Sequence, residues 1–165
     1  MYYNPILFDK SETVVEQFTI NPTRKKYLII FEQNETKDIR AFISEIQKKK
    51  IEHDLIVISG EVNQKEIQRI LLQQKMGTQL YISSTWDKAA AIFSEAVEAG
   101  FTEDEIQTVI QGPKKRFLYC MKCFSLNEIQ NEKEAECMHC EAMLEVGPFF
   151  SVVRKGYIGY PFIPL

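Results

Sequence analysis

The feature that most constrains this chain is the spacing of its four cysteines. Two C-x2-C pairs lie within 21 residues and are separated by thirteen residues: Cys120 with Cys123, and Cys137 with Cys140. The other 144 residues contain no cysteine. Each C-x2-C turn directs two sulfurs to one point, and two such turns can complete a tetrahedron around one metal ion. The spacing therefore predicts a four-thiolate metal site; the alternative is four buried or free thiols.

Four thiolates suit Zn²⁺, and they also suit the single iron of a rubredoxin-type site. Rubredoxin-like pairs usually carry proline after the first cysteine and glycine after the second. Here Met121 and Met138 follow the first cysteines, and Phe124 and Glu141 follow the second. This difference favours a closed, structural zinc site, with iron as the alternative. His139, inside the second pair, is predicted to face solvent and not to bind the metal.

Composition excludes several classes of function. The 165 residues carry a net charge of -3, so we expect no nucleic-acid partner. Only seven glycines are present, and neither glycine-rich phosphate-binding motif occurs. No apolar run is long enough for a membrane span, and the first residues lack the features of a secretory signal. We therefore expect a cytoplasmic protein with no membrane partner, in which the cysteines are not disulfide-bonded.

The first two thirds of the chain alternate between apolar strand segments and amphipathic helices. Strands are predicted at 27–31, 55–59, 80–82 and 106–110, and helices over 36–50, 63–71 and 85–99. The continuous apolar character of the strands predicts a Rossmann-like parallel sheet that helices bury on both faces. Gly100 is expected to end the third helix in a left-handed conformation, and Thr102–Glu105 is expected to form a capping box.

A Gly112-Pro113 pair marks the predicted domain boundary. Residues 1–113 are predicted to form an α/β domain. Residues 114–165 are predicted to form a small β module of the zinc-ribbon, rubredoxin-like type.

The α/β part shows no signal for a cofactor or for catalysis. Its first strand is followed by residues 32–35, which include two glutamates and no glycine and so disfavour a pyrophosphate. Residues 80–112 resemble the last part of ferredoxin-reductase nicotinamide domains, but the Cys-Gly-Pro of those domains is missing. The resemblance implies a degenerate nucleotide fold kept as a scaffold. Once the cysteines bind metal, no nucleophile–base pair remains, so we expect no activity from this chain alone.

The segment 149–162 is unusually rich in aromatic side chains. Such a segment either packs back on its own domain or docks into a partner. Because aromatic residues and arginine are typical of interfaces, six residues are candidates for partner binding: Phe149, Phe150, Arg154, Lys155, Tyr157 and Tyr160.

The C-terminal fifty residues resemble a known family. Arg116-Phe-Leu-Tyr-Cys-x-x-Cys123, Cys137-x-x-Cys140-x3-Leu-x-Val and the later Gly-Tyr-Ile-Gly-Tyr are similar to the small subunit of bacterial dimethylamine monooxygenases. Family members commonly have glycine and histidine where this chain has Glu141 and Phe149, so no role for that histidine carries over.

The resemblance implies a non-catalytic, metal-binding subunit of an NADPH-dependent oxygenase that N-demethylates a secondary amine. Haem, flavin and iron–sulfur chemistry would then belong to the other subunits of the oxidoreductase complex. Two alternatives stay open: a rubredoxin-like iron electron carrier, and a stand-alone zinc-ribbon adaptor.

Overall fold

The computed structural model describes Phe8 and residues 11–33, 36–151 and 153–165. These residues form two compact units, one ending at Gly112 and the other beginning at Pro113. No helix among them is both long and apolar enough to cross a membrane. The predicted start of the first domain and the loop residues Asn34 and Glu35 lie outside the described residues. The division into two independently folding domains stays a prediction.

The first unit is built on a parallel sheet, as predicted. Its strands are β1 (Lys26–Glu32), β2 (Glu52–Ile58), β3 (Thr78–Ser84) and β4 (Ile106–Ile110), in the order β2-β1-β3-β4. All three strand pairs are parallel. The strand order reverses between β1 and β3, so the topological switch point of the sheet lies at their carboxyl ends.

Three helices connect these strands: α1 (Lys37–Lys48), α2 (Gln64–Leu72) and α3 (Trp86–Glu98). The backbone N–H of Glu66 donates to the side chain of Asn63, which caps α2 as predicted. Gly100 has a φ of 101°, which confirms the predicted left-handed residue after α3. The Thr102–Glu105 capping box is also confirmed and opens a 3-10 turn before β4.

The helices bury both faces of the central strands. On one face, Leu28, Ile30, Leu80 and Ile82 pack with residues of α2 and α3. On the other face, α1 and the central strands together form a mainly aromatic cluster, whose buried members are Tyr27, Ile29, Phe31, Ile39, Phe42, Ile46 and Tyr81. Burial of this apolar area supplies most of the driving force for folding of the unit.

Strand β2 is less buried than the sequence predicted. Leu55 is 40% exposed and Val57 is 53% exposed. The reason is position: β2 is an edge strand, and α1 packs on Tyr27 and Tyr81 of β1 and β3. The opposite edge, β4, is partly covered, because Val14 forms a bridge with Thr108. The continuous apolar run therefore predicted the position of β2 correctly, but the prediction that the strand is buried on both faces was wrong.

The second unit is a five-stranded sheet in the order β6-β5-β9-β8-β7. The strands are β5 (Arg116–Cys120), β6 (Leu126–Ile129), β7 (Glu134–Glu136), β8 (Met143–Ser151) and β9 (Gly156–Pro161). Only the β5–β9 pair is parallel. Together the two units confirm the predicted fold class, an α/β sheet followed by a small β module.

The aromatic C-terminal segment packs back on its own unit. Strands β8 and β9 form an antiparallel hairpin, and β9 lies between β5 and β8. Gly159 in β9 permits close approach of its neighbours, because a Cβ there would lie 3.0 Å from Cγ of Leu118 and 3.1 Å from Cδ1 of Leu144. The segment is therefore part of the core of the sheet, which leaves partner binding to its exposed side chains.

Replacing Gly159 with alanine tests this packing. We expect Gly159→Ala to destabilise the second unit by about 2 kcal/mol, because the added methyl group overpacks a closed core. Amide hydrogen exchange in β5 and β9 measures the effect, with Glu145→Ala, an exposed position of β8, as the control. Unchanged exchange rates in Gly159→Ala would contradict the central position of β9.

Candidate metal centre

The structure brings the four cysteine sulfurs together. All four Sγ atoms lie within 4.8 Å of one another. Cys120 ends β5, and Cys137 directly follows β7, so the sheet fixes the first cysteine of each pair. Cys123 and Cys140 lie in the turns that follow. Two strands that are not neighbours in the sheet thus present their turns to one point.

The two turns repeat one backbone geometry. The N–H of Phe124 donates to the carbonyl of Cys120 at 2.8 Å, and the N–H of Glu141 donates to that of Cys137 at 2.9 Å. Phe124 and Glu141 have φ values of 62° and 59°. The left-handed conformation that rubredoxin-like pairs give to glycine is therefore kept here by residues with side chains, at a cost of about 1–2 kcal/mol each.

The sulfur spacing fits a tetrahedral metal ion. The Sγ atoms of Cys120 and Cys140 are 3.8 Å apart, and those of Cys123 and Cys137 are 3.5 Å apart. Zn–S bonds of about 2.3 Å place the sulfurs of a tetrahedron about 3.8 Å apart. Both separations are far too long for a disulfide, whose sulfurs lie about 2.05 Å apart. The four cysteines could therefore bind one metal ion.

The four thiols differ in their surroundings. Cys120 and Cys137 are buried, whereas Cys123 and Cys140 are half-buried. Burial acts to raise the pKa of Cys137, but hydrogen bonds from Ser125, backbone N–H groups and Asn127 outweigh it and lower that pKa to about 5. A backbone hydrogen bond from Ala142 acts to lower the pKa of Cys140, but burial and the neighbouring sulfurs raise it to about 11. Four thiolates this close together would repel one another, and a bound cation would offset that repulsion.

Two residues beside the sulfurs were missed in the sequence. The Oγ of Ser125 lies 2.9 Å from Sγ of Cys123, and the Nδ2 of Asn127 lies 3.5 Å from Sγ of Cys137. In the sequence, Phe124 and Leu126 alternate with the polar Ser125 and Asn127, and the usual pattern would bury the apolar pair. The structure instead leaves Phe124 and Leu126 exposed and buries Asn127. This alternation places polar side chains inward, the reverse of an ordinary half-buried strand.

The predicted partner-binding residues are not equivalent in the structure. Tyr157 is buried beneath the guanidinium of Arg116, which lies 4.3 Å from its ring centre, and Phe150 packs edge-on against Tyr157. Arg154 covers the ring of Tyr119 and donates a hydrogen bond to its hydroxyl. A role for Tyr157 and Phe150 in partner binding stays a prediction, but both have a structural role in the second unit.

The remaining predicted side chains face solvent. Phe149 is 70% exposed, Tyr160 is 47% exposed, and Lys155 is exposed with a φ of 58° in the turn before β9. His139 is also exposed and lies outside the four-cysteine group, in agreement with its predicted position. Phe149 and Tyr160 are thus the aromatic candidates best placed to meet a partner.

In the first unit, a carboxylate lies at the switch point of the sheet. Glu32 ends β1, and its Oε1 accepts hydrogen bonds from Oγ of Ser84 at 2.6 Å and from the N–H of Thr85 at 2.9 Å. Lys88 lies 3.3 Å from its Oε2. Thr85 is the N-cap of α3, so an internal carboxylate holds the kind of position where nucleotide-binding folds place a phosphate.

The Glu32 carboxylate should make the stability of the first unit depend on pH. Burial acts to raise the pKa of Glu32, but hydrogen bonds from Ser84, Thr85 and Lys88 outweigh it and lower that pKa from 4.5 to about 2. A lowered folded-state pKa stabilises the fold in full above pH 4.5, and this contribution is lost as the pH falls towards 2. We expect Glu32→Gln to lower the free energy of unfolding by about 2 kcal/mol at pH 7.

Urea unfolding followed by Trp86 fluorescence measures this difference, because Trp86 is the only tryptophan and lies in the first unit. The difference between wild type and Glu32→Gln should shrink steadily below pH 4.5. The exposed Glu61→Gln serves as the control. A difference that is constant between pH 7 and pH 2.5 would contradict the assignment.

Comparison with known proteins found a family match within the second unit. Residues 117–160 match the family model described as dimethylamine monooxygenase subunit DmmA-like, C-terminal domain. The matched range contains all four cysteines. Searches of curated proteins and of solved structures returned no match. The match confirms the resemblance seen in the sequence: the C-terminal, four-cysteine unit of this chain is similar to the C-terminal domain of DmmA-like dimethylamine monooxygenase subunits.

Proposed function

We propose that this protein is a non-catalytic, zinc-binding subunit of a multicomponent amine monooxygenase, in which the oxidative N-demethylation of a secondary amine takes place on other subunits. The observation that carries the proposal is the four-sulfur cluster within the family-matched unit. Four cysteines satisfy a tetrahedral ion completely, so the ion has no position for a substrate. When bound, zinc cross-links the two turns and holds the small β module together.

The first unit is proposed to be a scaffold. The α3 N-terminus, which would otherwise attract a phosphate, already interacts with the Glu32 carboxylate. A nucleotide phosphate at that position would meet a negative charge held by Ser84 and Lys88. This supports the interpretation of the α/β unit as a nucleotide fold that has lost its ligand and kept its shape.

Metal removal tests the zinc assignment and the two-domain division together. We expect one zinc ion per chain, a colourless protein, and selective unfolding of the second unit when a chelator removes the metal. All three helices and Trp86 belong to the first unit among the described residues, so the helical circular-dichroism signal and the tryptophan emission should persist. Amide signals from β5–β9 should lose their dispersion in NMR spectra.

Two other results would each exclude part of the proposal. If native mass spectrometry finds the bare polypeptide and chelation leaves the β5–β9 signals unchanged, the metal site is wrong. If chelation also abolishes the helical signal, the two units do not fold independently.

Iron at the same sulfurs is the second candidate, and one observation favours it. Cys123 and Cys140 are half-buried and not fully enclosed, so a partner could approach these ligands closely, which favours electron transfer to it. Visible absorbance that bleaches on reduction would identify an iron carrier. A zinc protein that co-purifies with no oxidoreductase subunit would identify an adaptor.

Partner binding through the exposed aromatic residues is tested by mutation. We expect Phe149→Ser and Tyr160→Ala each to weaken association with the other oxygenase subunits at least about tenfold, because exposed aromatic side chains dominate interface energies. Metal content should not change. Size-exclusion chromatography of the co-expressed subunits measures the association.

The matched control is Ile163→Ser, since Ile163 is 89% exposed and lies outside the predicted set. Tyr157→Ala should instead destabilise the second unit, because Tyr157 is only 3% exposed. Full association of Phe149→Ser and Tyr160→Ala would show that the partner binds elsewhere.

A further inference from the structure

The buried amide of Asn127 links the two cysteine turns. Asn127 lies in β6, after the first turn, and is 3% exposed. Its Oδ1 accepts from the N–H of Met138 at 2.8 Å, inside the second turn. Because that backbone group is a donor, the amide oxygen must face it, and the amide nitrogen must face the other way. Nδ2 then points at Sγ of Cys137 and the carbonyl of Leu118, each at 3.5 Å.

Ser125 makes a second link from the same strand region. Its Oγ lies 2.9 Å from Sγ of Cys123 and 3.4 Å from Sγ of Cys137. Ser125 and Asn127 are two residues apart, so their side chains leave the extended backbone on the same side. One short segment therefore presents two polar side chains to sulfurs from both turns.

Hydrogen bonding is consequently unequal among the four sulfurs. The single hydroxyl proton of Ser125 can serve the nearer sulfur, Sγ of Cys123, while Nδ2 of Asn127 donates to Sγ of Cys137. Cys120 accepts from the backbone N–H groups of Lys122 and Cys123, at 3.4 and 3.5 Å, and no side-chain nitrogen or oxygen of the described residues donates to it. A hydrogen bond to a thiolate withdraws electron density from the metal–sulfur bond, and such partners tune metal affinity and reduction potential.

We propose that Ser125 and Asn127 are positioning residues of the metal centre: they hold the two cysteine turns in register and lower the electron donation of Cys123 and Cys137 to the bound ion. This inference rests on the proposed metal-binding function. It goes beyond that function by making one half of the ligand set electronically distinct from the other.

Cobalt(II) in the full-length, metal-stripped protein provides a spectroscopic test. Removing a hydrogen bond from a thiolate raises the energy of its lone pairs, so the sulfur-to-cobalt charge-transfer band should move to longer wavelength. We expect this shift in Ser125→Ala and a larger one in Asn127→Asp, which keeps the acceptor for Met138 but replaces the amide donor with a carboxylate oxygen. Because both residues also hold the two cysteine turns in register, competition with a chelator should show that each variant binds cobalt at least about tenfold more weakly than wild type.

Two variants serve as controls. Ser125→Thr keeps the hydroxyl and should restore the wild-type band and affinity, which a loss of packing alone would not allow. Ser94→Ala removes a hydroxyl in α3 that bonds to the carbonyl of Ala90, and it should change neither quantity.

The outcomes separate this inference from the proposed function. If the wild type binds neither cobalt nor zinc, the proposed function fails, and the inference fails with it. If the wild type binds cobalt and both Ser125→Ala and Asn127→Asp keep its band position and affinity, only the inference is overturned. A shifted band in Ser125→Ala with recovery in Ser125→Thr supports it, even where Asn127→Asp is too unstable to purify.

Discussion

The second unit gathers four thiol groups into a space where they would repel one another once ionised. Sulfurs 3.5–3.8 Å apart form no covalent bond, and two of them are buried. Around them lies a core of only a few apolar side chains, among them Leu118, Ile129, Leu144 and Tyr157. A unit of about fifty residues rarely folds on such a core alone, and a metal ion is one of the usual supplements. The proposed zinc ion would turn the repulsion into the strongest cross-link of the unit.

Other parts of the second unit pack against the strand that carries Cys120. Strand β9 lies between β5 and β8, so the end of the aromatic segment supports the strand that carries Cys120. Arg154, in the turn before β9, covers Tyr119, the residue before that cysteine. Phe149 and Tyr160 stay exposed on the same hairpin. Structural support and the proposed partner surface therefore come from one segment, which explains how a small unit can combine both.

The α/β unit holds an internal carboxylate at the switch point of its parallel sheet, beside the N-terminus of α3. The strand order forms a switch point between β1 and β3, and α3 begins there. Glu32 supplies the negative charge for that helix from within the chain. The same interaction that stabilises the carboxyl ends of the central strands thus opposes the binding of an external phosphate.

The sequence by itself determined the strands and helices of the first unit and the four cysteines that come together. Hydrophobic periodicity and apolar runs located the strands and helices of the first unit, and Gly100 and Thr102 marked the end of α3 and the start of the next turn. Cysteine spacing identified the sulfurs that come together. Each of these signals is local in the chain. Tertiary structure alone decided what depends on neighbours distant in the chain. Leu55 and Val57 are exposed because β2 is at the edge, Tyr157 is buried because β9 enters the middle of a sheet, and Asn127 reaches Cys137 because β6 folds beside the second turn. Burial and hydrogen bonding across strands depend on which segments become neighbours, and no local pattern specifies that.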